Sequence, residues 1–274
     1  MKNQTPRSIW WEELCTRDFD NIDPAHTIAI LPIAAIEQHG PHLPLSTDST
    51  LMEGMIDTVA KNLPEGVDLR VLPIQRIGKS DEHLFAPGTL SHDAASLIDN
   101  WTALGHAVAR AGIRKLIIMN SHGGNEEVMG IVARNLRVQH RMLVAKSSWF
   151  RFGHPPGLYT DLELRDGIHG GDTETSLMLH FRPDLVTMSK AQNFESKNTQ
   201  IAEQNTHLQA TGKHSFAWIA ADLNHTGAIG NAAIATAEKG AASAQWAAKG
   251  FAELLQDIIN IDPDTTLSSV DPCL

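Results

Sequence analysis

The stretch Leu31–Asp48, LPIAAIEQHGPHLPLSTD, constrains this chain more than any other. The apolar run over residues 27–36 predicts a buried parallel strand. It stops at Glu37, and because Glu37 and His39 are two apart, both side chains leave an extended segment on the same face. Gly40, Pro41 and Pro44 prevent a regular strand or helix from continuing past His42, and Asp48 falls where the next helix begins. A carboxylate, an imidazole and a second carboxylate converging at the end of a strand form a pattern that suits borderline to hard divalent ions. Taken singly, Asp48 serves equally well as a helix N-cap, and a histidine after a strand is more commonly a hydrogen-bonded loop residue.

The rest of the chain alternates strands with helices. Leu51–Leu63 carries apolar residues at helical spacing, Leu69–Ile74 reads as a strand, and His92–Ala111 as a helix stopped by Gly112. Lys115–Met119 is a strand, Glu126–Val138 a helix and Met142–Ala145 a strand. Residues 150–170 read as loop, Gly171–Phe181 as the opening of a helix and Ala232–Ile259 as a long Ala-rich helix. The Trp10–Trp11 pair sits in a short helix, and the tail after Pro263 reads as weakly ordered. Such alternation implies βαβ units with right-handed crossovers, an α/β fold whose mostly parallel sheet is covered on both faces. With no internal repeat or linker, residues 1–274 are read as a single domain. Ligands of such folds gather beyond the carboxyl ends of the strands.

Composition removes several classes of function. A net charge of −10 argues against non-specific binding to nucleic acid or anionic membranes. No stretch approaches the roughly 18–20 apolar residues of a membrane span, and the N-terminus lacks the apolar core of a signal peptide. Cys15 and Cys273 belong to no zinc motif and fit a reducing compartment, so a cytoplasmic protein is expected.

Two more loops bring chemistry to the same sheet edge. Asn120-Ser121-His122-Gly123-Gly124-Asn125 is a strand-to-helix turn whose glycines allow close backbone approach. It matches neither a Walker A loop nor a dinucleotide fingerprint. In His169-Gly170-Gly171-Asp172-Thr173-Glu174, capping and helix-dipole chemistry explain the acidic residues but leave His169 unexplained. An imidazole there is a natural proton shuttle, because its pKa lies near neutrality. The loops Pro87–Ser91 and His225–Gly230 read either as pocket lining or as turn chemistry.

Together, LPIAAIEQHGPHLPLSTD, the Glu82–His92 segment with PGTLS, NSHGGN, HGGDTETS and TGAIGNAAIATAEKG resemble the creatininase (creatinine amidohydrolase) superfamily. These motifs stand in family order across residues 31–240. The resemblance implies a three-layer α/β/α fold, a homo-oligomer (often a hexamer) and two divalent ions per chain, with zinc, manganese or iron as the usual metals. It carries Glu37, His39, Asp48, His122 and Glu174 over as ligands, with Asp48 bridging, and His169, with Glu174, as the catalytic pair. His83, Gly88, Thr89, Ser91, Gly123, Gly124, Asn125 and Gly227 are the residues expected to contact substrate. The creatinine-hydrolysing branch has an acidic ligand where this chain has Gly124, so the chain resembles the HGGN-type branch instead. Glu126 is the alternative to Glu174 for completing the site. The expected reaction is hydrolysis of a small cyclic amide or formamide by metal-activated water. The competing expectations are a hydrolase or isomerase of a keto-sugar or keto-inositol, and a non-catalytic small-molecule binder.

Overall fold

The structure, a computed structural model, describes residues 8–268. Four strands, β1 (Thr27–Ile33), β2 (Asp68–Val71), β3 (Lys115–Asn120) and β4 (Leu143–Ser148), form a wholly parallel sheet in the order β2-β1-β3-β4. Helices α1 (Thr47–Ala60), α2 (Ala94–Arg110) and α3 (Glu126–His140) are the crossovers. The C-terminal half adds α4 (Asp161–Asp166), α5 (Asp172–Phe181), α6 (Lys197–Gln204), α7 (Ala220–Leu223) and α8 (Ala237–Asn260). A small antiparallel pair, β5 (Asn193–Phe194) with β6 (Gly230–Asn231), ties this half together.

The two-residue period of the strands divides the core into two layers. Ile28 and Ile30 of β1, with Ile117 and Met119 of β3, face α1, α5 and α8 through Met52, Met55, Met178 and Phe251. Ala29, Leu31 and Ile33, with Leu116 and Ile118, face α2 and α3 through Trp101, Val132 and Leu136. The result is the three-layer α/β/α sandwich expected from the motifs. Because α1 and α2 leave for opposite faces, the chain reverses its winding beside β1. Its crevice therefore opens beyond the C-terminal ends of β1 and β3, where Ile33 pairs in register with Asn120.

Several boundaries differ from expectation for local reasons. β1 ends at Ile33 because the Ala34 amide is claimed by Gln75 O at 3.0 Å, outside the ladder. α2 starts at Ala94, after Asp93 accepts from the Ser96 amide, and α8 starts at Ala237, after Thr236 accepts from the Lys239 amide. The region expected as loop contains α4, one short helix capped by Thr160. The expected weakly ordered tail is tied down as far as Ser268 by Arg114–Asp264 and Arg137–Ser268 O contacts, and the remainder lies outside the described residues, as does Cys273. Among the described residues, no helix is long and apolar enough to cross a membrane.

Phe251, fully buried between α8 and the sheet face, is the test of this layer. Phe251→Ala should destabilise by about 3–5 kcal/mol, read as a lowered denaturation midpoint at an unchanged urea slope.

Candidate metal centre

Two strand ends, two helix starts and one loop meet at the same place. After β1, the Glu37 amide donates to Leu45 O at 3.0 Å, which fixes the exit of the strand, and Gly40 (φ +69) turns the chain away behind His39. Asp48 is the second residue of α1, and the N-cap there is Ser46, so the Asp48 carboxylate is free to face His39 and His122. His122 leaves β3 with its amide held by Asn120 Oδ1 at 3.0 Å. Glu174 lies in the first turn of α5, where Oε2 accepts from the Gly170 amide at 2.6 Å. His169 is pinned by reciprocal backbone hydrogen bonds with Ile229.

Backbone carbonyls set the tautomer of three imidazoles, because a carbonyl can only accept. His39 donates from Nδ1 to Glu37 O (3.1 Å), His122 from Nε2 to Lys79 O (2.8 Å) and His169 from Nε2 to Gln38 O (2.6 Å). Each ring therefore turns its other nitrogen inward, where it offers a lone pair once the ring is neutral. His39 Nε2 lies 3.4 Å from Asp48 Oδ1, 3.8 Å from Glu174 Oε2 and 3.9 Å from Glu37 Oε1. His122 Nδ1 lies 3.2 Å from Glu37 Oε1 and 3.5 Å from Asp48 Oδ2, and His169 Nδ1 lies 3.6 Å from Glu37 Oε1. His83 differs: Gln38 Nε2 donates to its Nδ1 at 2.8 Å, so its Nε2 carries the hydrogen toward Glu37 Oε1, 3.4 Å away.

Imidazole nitrogens and carboxylate oxygens thus face one another in a buried site. Glu37 Oε1 and Oε2, His39 Nε2 and Asp48 Oδ2 have no hydrogen-bond partner. Such burial is costly for carboxylates unless a cation joins them. Bonds of about 2.1 Å to a tetrahedral ion separate donors by roughly 3.4 Å, close to the spacing found here. The donors fall into overlapping groups: His39 with Asp48 and Glu174, Glu37 with Glu82 and His122, and Glu37 with His39 and His169. Asp48 turns one oxygen toward each of the first two, as a bridging carboxylate does. The donor set fits two divalent ions.

The electrostatics describe the same competition between protons and a cation. Burial would raise Glu37, but His122, His169 and His83 hold it far below the usual carboxylate range. Burial pushes Glu174 up to about 7, Asp48 and Glu37 adding to it against His39. Burial would lower His39 and His122, yet Asp48 raises His39 to about 9 and Glu37 raises His122 to about 10. His169 is driven well below 6.5 by burial and by His39 and His83, and burial takes His83 down to about 4.

The remaining expected residues have mixed placements. Glu126 pairs with Arg151 at 2.6 Å away from the cluster, so Glu174 is the carboxylate that the fold delivers. Asn125 is fully occupied: Oδ1 accepts from the Lys79 amide, and Nδ2 donates to Ala34 O and Asn120 Oδ1. Thr89 Oγ1 accepts from the Gln38 amide, Ser91 Oγ accepts from the Ser80 amide, and Gly227 O accepts from Gln38 Nε2. These residues brace the loops, while Gly88 and Gly123 lie exposed on the surface and Gly124 is half-buried. His42 is turned toward Thr175 and Phe194. A cavity of about 730 Å³ between α4 and α6 lies apart, and none of the candidate donors lines it.

Sequence reasoning missed Gln38 and Glu82. Gln38 connects His83, His169, Gly40, Thr89 and Gly227, and its position between Glu37 and His39 was the available signal. For Glu82 the signal was a carboxylate directly before His83 in a Gly- and Ser-flanked turn.

Because the metal-free protein holds protons on His39 and His122 at pH 7, a metal must displace them. Calorimetric titration with Zn²⁺ should release about two protons, seen as heats that depend on the buffer, with affinity rising as pH climbs toward 9–10. Heats independent of the buffer would show that these rings hold no proton.

Residues 12–255 match the creatininase family, described as creatinine amidohydrolase. A mycofactocin precursor peptide peptidase of Mycolicibacterium smegmatis is 29% identical over 78% of this chain and 78% of its own. A creatinine amidohydrolase of Pseudomonas putida is 31% identical over 67% of this chain and 76% of its own. A 3-dehydro-scyllo-inosose hydrolase of Thermotoga maritima is 22% identical over 95% of this chain and 86% of its own. The crystal structure of a creatinine amidohydrolase superposes with a TM-score of 0.76 and 25% identity, covering 93% of this chain and 100% of that one. With the sheet order, the strand-end site and the length of the match in agreement, the chain belongs to the creatininase family.

Proposed function

We propose that this protein is a metal-dependent amidohydrolase that cleaves a C–N bond of a small cyclic amide, a formamide or a related amide. The observation that carries this reading is the inward convergence of three imidazole nitrogens, from His39, His122 and His169, on the carboxylates of Glu37, Asp48 and Glu174. Glu37, His39, Asp48, His122 and Glu174 would hold two divalent ions. Solved creatininases named as a manganese form and as a zinc–zinc mutant form support these metals as candidates. Bound there, such ions polarise a carbonyl oxygen and make a nucleophile from water at neutral pH.

The chain's own groups handle the proton. His169 is neutral at pH 7, and its ring is stacked between His39 and His83 at 4.1 Å on each side, which restricts its rotation. Its bare Nδ1 accepts the proton released as water adds to the carbonyl carbon. The same atom returns that proton to the nitrogen as the C–N bond breaks. Asp48 lies between the two halves of the site with one oxygen toward each, and Glu174 is kept in place by the Gly170 amide.

A second reading, cleavage of a peptide C–N bond, draws on the rim. Leu84, Phe85 and Leu90 are exposed on the segment that follows Glu82 and His83, where they suit apolar side chains of a longer substrate. A homo-oligomer in the cytoplasm, with a hexamer as the reference size, completes the proposal; light scattering on the purified protein reads the size.

Protein purified without chelator should carry near two metal equivalents per chain by plasma mass spectrometry, falling sharply in Asp48→Ala. Absence of metal, with none regained from Zn²⁺ or Mn²⁺, would sink the metal-dependent reading. Turnover on cyclic amides, formamides, short peptides and keto-inositols then ranks the substrates; activity on keto-inositols alone would replace the amide reading. His169→Ala should lower turnover by about 10²–10⁴-fold with metal content intact. Loss of metal in that variant would make His169 a ligand.

A further inference from the structure

The donors of the site are unevenly supplied. On one side His39, Asp48 and Glu174 form a complete group, whereas on the other Glu37 and His122 stand beside Glu82. Glu82 arrives from an unrelated segment, the 3₁₀ turn Asp81–His83. Its Oε1 lies 3.4 Å from His122 Nε2, the nitrogen that donates to Lys79 O. One donor atom each of Glu37, Glu82 and His122 lie within 4.8 Å of one another, and the Glu82 side chain keeps 18% of its exposure, so it sits at the open edge of the cluster. Among the described residues, the ion pairs of Glu82 include no Lys or Arg: Lys79 is bound to Asp81 instead.

The space Glu82 occupies is held open by a glycine. A Cβ on Gly124 would lie 2.6 Å from both Glu82 Oε1 and His122 Nε2, and would collide with Lys79 O. That carbonyl cannot move aside. It accepts from His122 Nε2, and the Lys79 amide is tied to Asn125 Oδ1 at 3.0 Å. The bare backbone at position 124 and the carboxylate of Glu82 are therefore complementary, one vacating the volume that the other fills.

We propose that Glu82 is a metal-binding carboxylate, supplying with Glu37 and His122 the donors of the outer ion through the gap left by Gly124. This rests on the metal-dependent reading above. Position 124 carries no donor, and the anionic charge needed to balance a second divalent ion comes from a different loop.

The test is metal content and affinity, independent of any substrate. Wild type, Glu82→Ala, Glu82→Gln and the surface control Glu126→Gln are equilibrated with buffered Zn²⁺ or Mn²⁺, desalted and measured by plasma mass spectrometry. The expected result is two equivalents in wild type and Glu126→Gln. Both Glu82 variants should hold about one equivalent, their second ion bound at least tenfold more weakly in chelator competition. Two equivalents at wild-type affinity in both Glu82 variants would overturn the assignment to Glu82 while leaving the two-metal reading standing. A wild-type protein that binds no metal would overturn both. Far-ultraviolet circular dichroism confirms that the variants are folded. Glu82→Gln keeps the side-chain volume, so its loss of metal isolates the charge.

Discussion

The structure depends on the burial of one carboxylate. Glu37 is fully excluded from solvent, with neither oxygen accepting a hydrogen bond and with His83, His122 and His169 around it. A lone carboxylate in that position would be among the most expensive groups a fold can bury. The surrounding architecture offsets the cost: β1 runs through the middle of the sheet, and its end meets the end of β3 and the start of α1. Positive charge, whether protons on imidazoles or a divalent cation, is what this junction is built to receive.

Its precision comes from the backbone rather than from other side chains. Each inward-facing ring is held by a carbonyl from a strand end or turn, so the direction of its lone pair follows from the path of the main chain. Imidazoles held this way need little reorganisation when a ligand arrives, which is the condition for effective electrostatic catalysis. The stack His39–His169–His83 adds a steric limit to the same effect.

Much of this was legible in the sequence. The run ending at Glu37, the Glu37–His39 spacing and the glycine-rich turn at His122 announce strand ends that carry donors, and the glycine-rich turn at His169 announces a helix start, because strand periodicity and turn chemistry are local. The two-layered core followed from the same periodicity. The partners of Gln38, the N–H that His83 turns to Glu37 and the approach of Glu82 to His122 were not legible. Each depends on where a distant loop runs, and no local spacing encodes that. Thr89, Ser91 and Asn125 show the converse, since their polar groups looked available in sequence but serve to hold loops together. Helices as short as α4 and α7 lie below the length at which periodicity can be read.

The exposed segment Leu84–Leu90 and the anchored donors belong to different mechanical classes. Glu37, His39, Asp48, His122 and Glu174 come from strand ends and first helical turns, whereas Leu84 and Phe85 stand exposed on a rim that is tied back at its far end, by the Leu90 amide to Ile36 O and by the Gln38 amide to Thr89 Oγ1. Substitutions at the exposed Leu84 and Phe85 can reshape what enters without moving an imidazole. A fold arranged this way lets selectivity drift while reactivity stays put, a physical route by which relatives named for a precursor peptide, creatinine and an inosose can share one framework.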